Sequence, residues 1–187
     1  MQVRTLIAAS MLALAAVAPA PAADDTKPGA SATIFKEIPW EDLVPKDWNP
    51  MKITSDPKLG AVQDGSTQAL GMMRKLREAW DNAPTVPKLN GAAVKLPGYV
   101  VPLESVQGEL KEFLLVPYFG ACIHTPPPPA NQIIHVVLDK PAKGFRAMDA
   151  VWASGVLKTV RGESDMGASG YRMQSASIVM YEAPTRR

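Results

Sequence analysis

The sequence is poor in the side chains that carry most protein chemistry: its 187 residues include one cysteine and two histidines. A single cysteine excludes an internal disulfide, which leaves Cys122 as a buried thiol, a metal ligand, a redox centre or an intermolecular link. An excess of charge is missing too, with 20 Lys and Arg against 18 Asp and Glu. So weak a net field makes nucleic acid and anionic membrane surfaces poor partners. No apolar run reaches the roughly 20 residues of a transmembrane helix; the nearest, Leu6 to Val17, is too short. There is no phosphate-cradling glycine loop, no G-x-S-x-G elbow, no HExxH or CxxC pattern and no evident pair of carboxylates. Asp149, Glu163 and Asp165 read as solvated turn charges.

What is present begins with export. Arg4, the apolar run after it, and the small residues Ala18, Ala20, Ala22 and Ala23 form the three zones of a secretory signal peptide, expected at 1–23 with cleavage near Ala22 or Ala23. With no cysteine near that site, a lipid anchor is not expected, and the mature chain is expected to be soluble in the periplasm. Residues 24–33 are polar and read as a flexible leader. Residues 34–187 suit one domain.

The 18 prolines mostly separate short apolar runs, which favours strands and turns over a helical bundle. The text from Ile34 to Pro50 is too broken for a regular element and too apolar for disorder, and reads as an extended arm held by Phe35, Ile38, Trp40, Leu43, Val44 and Trp48. Ser66 to Asn82 is the one good helix: Leu70, Met73, Leu76 and Trp80 recur at helical spacing, and Ser66 or Thr67 can cap its start. Met72 and Met73 on that helix read as core filler rather than copper ligands. Strand-like runs follow at 92–104, 111–119, 132–140, 147–162 and 175–183, with a Gly/Ser-rich stretch from Gly162 to Gly170. The expected fold is mainly β (α+β): a small antiparallel barrel, OB-like, or a sandwich, with one main helix and an N-terminal extended arm. Gly155, mid-strand, marks a kink by which such barrels turn a corner.

Chemistry concentrates between two of these strands, in Tyr118 to Val136. Cys122, His124 and His135 are all the cysteine and histidine of the chain. In extended backbone Cys122 and His124 point to one face, as a shared metal or a thiolate–imidazole pair requires, and His135 could close back on them. Pro126, Pro127, Pro128 and Pro129 stiffen the loop, and Asn131 and Gln132 offer amides to its backbone or to a second layer around a site. Three readings stand open. Cys122, His124 and His135 could hold zinc or cuprous copper, ions that accept nitrogen and sulfur. Alternatively, His124 could lower the Cys122 pKa to make a nucleophile. In the third, Cys122 is a small buried hydrophobe beside histidines that serve the loop backbone.

The strings IPWEDLVPKDW, LPGYVVPLE, EFLLVPYFGACIHTPPPPANQIIHV and VWASGVLKT resemble DUF3299, a proteobacterial family of exported proteins, over about Ile38 to Tyr181. The matching positions of its characteristic string are Gly120, Cys122, His124, Pro126, Pro127, Pro128, Asn131 and Gln132. The resemblance implies a periplasmic or lipid-anchored accessory protein, often accompanying ABC transporters of the lipoprotein-release and macrolide-export type, some in zinc-responsive settings. The expectation is therefore a non-enzymatic binding protein associated with an envelope ABC transport system, with a thiol enzyme or a purely structural adaptor as the alternatives.

Overall fold

The computed structural model describes residues 33–49, 65–122 and 127–182. The expected signal segment, most of the leader, His124 and Pro126 lie outside the described residues. Among the described residues, no helix is long and apolar enough to cross a membrane.

Alternation of apolar and polar residues places five strands around one core. β1 (Lys36–Glu37) belongs to the arm; β2 (Ala93–Val106), β3 (Glu109–Val116), β4 (Ile134–Ala142), β5 (Ala150–Lys158) and β8 (Tyr171–Met180) build the barrel, and β6 (Gly162–Ser164) with β7 (Gly167–Ser169) forms a hairpin between β5 and β8. The order is β1-β2-β3-β4-β8-β5, and β5 pairs back to β2, which closes the sheet. Closure decides for the barrel over the sandwich. Within it β4 and β8 run parallel and the remaining neighbours antiparallel.

Two features let five strands close. β2 serves both halves of the barrel: Ala93 to Tyr99 pair with β5, and Tyr99 to Val106 pair with β3. Pro97 and Pro102 therefore lie within one long strand rather than ending it, and the ladder slips just after Pro102. At Gly155 on β5 a Cβ would stand 2.5 Å from Met173 Cγ and 2.8 Å from the Gln174 carbonyl, so only glycine lets β5 and β8 approach this closely. The kink expected at Gly155 is thus a close crossing of two backbones, with the β5–β8 register shifting between Ser154 and Val156.

The barrel interior is filled by Val94, Leu96, Phe113, Leu115, Val136, Leu157 and their neighbours, with Tyr171 fully buried among them. The arm plugs this core with Ile38 and Leu43, each burial contributing about 1.5–3 kcal/mol. It is fastened by Trp40 Nε1–H donating to the Pro97 carbonyl at 2.7 Å and by the Tyr171 hydroxyl donating to the Leu43 carbonyl at 2.7 Å.

α1 (Thr67–Asp81) starts at Ser66, whose hydroxyl accepts the Ala69 amide at 3.1 Å. Its sheltered face differs from the one the spacing suggests. Leu70 and Met73 are 64% and 65% exposed, while Ala69, Met72, Leu76, Ala79 and Trp80 are half-buried. The sheltered face thus keeps Leu76 and Trp80 but is rotated about the axis toward Ala69 and Met72, by roughly 60°. The Gly/Ser-rich stretch is also more ordered than its composition suggests: it forms the β6–β7 hairpin, and β8 begins at Tyr171, ahead of the expected 175.

Candidate functional site

Along β3, Phe113 and Leu115 enter the barrel, whereas Leu114 and Val116 point outward and pack with Val101, Ala121 and Ile133 into a second, smaller core. The connection from β3 to β4 forms the lid of this core. Tyr99, Leu103, Cys122, Met148 and Met166 pack around its margin.

The connection turns through two left-handed residues, Gly120 at φ 85° and Cys122 at φ 65°. Glycine takes that conformation freely; an L side chain is disfavoured there by roughly 1–2 kcal/mol. Met148, just before β5, is also left-handed at φ 66°. Among the described residues the other such non-glycine is Gln107, in the tight β2–β3 turn beside Gly108, where hairpin twist asks for it. Met148 takes it as the third residue of the Arg146–Asp149 turn, closed by the Asp149 amide on the Arg146 carbonyl at 3.2 Å, and Cys122 and Met148 both border the same small core. They are also linked: the Gly120 amide donates to Met148 Sδ at 3.1 Å.

Cys122 is half-buried, and burial pushes its thiol up to about 11, with the nearby Arg77 guanidinium pulling in the opposite direction. Tyr118 is shifted upward as well, by burial first and then by Cys122. At neutral pH the thiol is therefore protonated, which removes the thiolate a nucleophile needs.

The described remainder of the loop, residues 127–133, is a brace. The Asn131 side chain is fully buried, and its Nδ2–H donates to the Pro84 carbonyl at 3.0 Å. Gln132 lies in a short 3-10 turn, Ala130–Gln132, and donates its amide to the Pro129 carbonyl at 2.7 Å. Pro128 is buried. Pro127 lies under the β6–β7 hairpin, where a Cβ on Gly167 would come within 3.2 Å of it. The Asn131 side chain thus holds backbone through Nδ2, with its Oδ1 buried and without a hydrogen-bond partner, while the Gln132 bond is made by the main-chain amide.

His135 is on β4, pointing outward, with Nε2 2.7 Å from Glu112 Oε2 on β3. Its imidazole pairs with this carboxylate. Among the described residues, no three His, Cys, Asp or Glu side chains gather as a metal site would require. What the structure adds instead is sulfur: the thioethers Met148 and Met166 share the margin of the small core with Cys122.

The model of DUF3299, described as a protein of unknown function, matches residues 40–180. The chain belongs to the DUF3299 family. A crystal structure of a DUF3299 family protein from Pseudomonas aeruginosa is 35% identical to it, with a TM-score of 0.63, and the match covers 80% of this chain and 98% of that one. No curated protein matches this DUF3299 chain. Two features of its site were not readable in the sequence. Met148 and Met166 sit far from Cys122 in the chain, with no motif around them, and the left-handed backbone at Cys122 and Met148 leaves no compositional mark.

Proposed function

We propose that this DUF3299 protein is an exported, periplasmic, non-catalytic binding protein that takes up a soft transition-metal ion at the Cys122 loop, cuprous copper ahead of zinc. The observation that carries this reading is the gathering of sulfur at one apolar patch, which Cys122, in left-handed backbone, borders together with Met148 and Met166. Strain of this kind persists where surrounding structure holds it in place, and it gathers at binding sites. A thiol with thioethers beside it suits cuprous ion, whereas zinc prefers thiolate, imidazole and carboxylate. Cys122 with His124 would be the principal ligands, and Met148 a weaker one. The raised thiol pKa disfavours a free thiolate, and metal uptake at Cys122 would have to displace that proton.

The test is copper and zinc titration of protein purified without a histidine tag, under reducing conditions. One cuprous ion per chain is expected, abolished by Cys122→Ser with His124→Ala and weakened about tenfold by Met148→Leu. Absence of either metal from the wild type at micromolar free ion would sink the reading. A second reading, an adaptor docking on an envelope ABC transporter, is supported by Tyr118 and Phe119, exposed 43% and 64% at the mouth of the same loop. Unchanged complementation by the double variant would favour it.

A further inference from the structure

A row of basic side chains crosses the outside of the barrel. His135 on β4 stands in register with Arg172 on β8, and Arg172 in register with Lys158 on β5. Their chain neighbours Ile134, Val136, Tyr171, Met173 and Leu157 enter the core, so all three face outward. Lys111 on β3 adds a fourth cation nearby, lining the same cleft as Arg172.

The members of this row differ in how they are satisfied. His135 has Glu112 at 2.7 Å. The Lys111 ammonium donates to the Leu138 and Asp139 carbonyls. Arg172 and Lys158 differ: among the described residues neither has a carboxylate in salt-bridge reach. Moreover, Arg172 Nε is buried without a hydrogen-bond partner. Two like charges directly opposite in a ladder repel, and a buried donor without an acceptor is unfavourable. An anion bound beside Arg172 gives its Nε–H an acceptor and screens the repulsion.

A cleft of about 350 Å³ opens at this point, lined by Lys111, Val137, Leu138, Asp139, Arg172 and Gln174. Asp139 brings one negative charge to its rim, against the two cations Lys111 and Arg172. Such a volume lies at the lower end of small-ligand sites. We propose that the cleft binds a small anion carrying a carboxylate or phosphate group. Arg172 supplies the planar fork, with Gln174 and Lys111 as further donors, while Lys158, outside the cleft lining, adds only longer-range attraction. The site is independent of the Cys122 loop and holds whether or not that loop takes metal.

Calorimetric titration of the full chain with inorganic phosphate and, separately, with citrate tests it, at an ionic strength fixed with sodium chloride. Saturable binding of one anion per chain is expected for at least one probe, and the preferred probe tells phosphate from carboxylate. Arg172→Gln should weaken it by about tenfold. Lys158→Gln, a longer-range contact, should weaken it by about threefold, and the remote exposed Lys88→Gln should leave it unchanged. The proposal is overturned if neither anion saturates in the millimolar range, if folded Arg172→Gln binds as the wild type does, or if Lys88→Gln loses as much as Arg172→Gln. Should Arg172→Gln fail to fold, Gln174→Ala in the cleft wall decides: wild-type affinity in that variant also overturns it.

Discussion

Gly120 and Met148, 28 residues apart in the chain, meet where the glycine amide donates to the methionine sulfur at 3.1 Å. The contact ties the β3–β4 connection to the segment leading into β5, and beside it Cys122 is held left-handed and half-buried. Burial at this point raises the thiol pKa.

That thiol gives a pH-dependent stability. Folded Cys122 keeps its proton up to about 11 because burial disfavours the thiolate, while an unfolded cysteine releases it near 8.5. Between those values the unfolded chain binds fewer protons, so this contribution is full below about 8.5 and declines as pH rises toward the folded value. Urea unfolding from pH 8 upward should show the wild type losing stability relative to Cys122→Ala, with little change between pH 6 and 8. Alkylation of the folded thiol should likewise stay slow at neutral pH. A thiol that alkylates fast at pH 7 would contradict the burial.

Tyr171 holds two segments at once. Its hydroxyl donates to the Leu43 carbonyl and accepts the Val86 amide, both at 2.7 Å, inside the core. Tyr171→Phe keeps the ring but leaves two backbone groups unpaired, and should destabilise the protein by about 1–3 kcal/mol. Hydrogen exchange should locate the effect, with the Val86 amide exchanging faster in the variant. An unchanged Val86 rate would show that this bond does not hold the segment.

Two glycines should respond in opposite directions to alanine. At Gly155 the added methyl meets Met173 and the β8 backbone at 2.5–2.8 Å, and Gly155→Ala should lose roughly 1–3 kcal/mol as the crossing is forced apart. Gly71, inside α1, has nothing within 4 Å of a Cβ, and Gly71→Ala should gain about 0.5–1 kcal/mol through helix propensity. Denaturation midpoints measure both, and a shift of the same sign in the two variants would refute the close crossing.

Much of the barrel was readable because strand periodicity is local. In Ile134 to Leu138 alternate residues are buried, and any reader of that run obtains both the strand and its inner face. Ser66 announced the start of α1 through its own side chain. The face of α1 was misjudged because Leu70, Met73 and the half-buried Ala69 and Met72 offer nearly equivalent stripes, and only packing selects between them. The β6–β7 hairpin escaped notice because Gly162–Ser164 and Gly167–Ser169 are too short and too small-sided to show alternation. In the candidate site, proximity in sequence suggested His135 as a companion of Cys122, whereas strand register gave it Glu112.

By itself the chain determined its five barrel strands, its main helix, the pinned arm and a proline-rich loop carrying Cys122, because each follows from residues within a few positions of one another. Tertiary structure alone decided that the sheet closes at β2 and β5, that Met148 and Met166 stand with Cys122, and that Arg172 faces outward beside Lys158 without a counter-charge. Those relations join residues from different strands and loops, and only the closure of the barrel sets the distances between them.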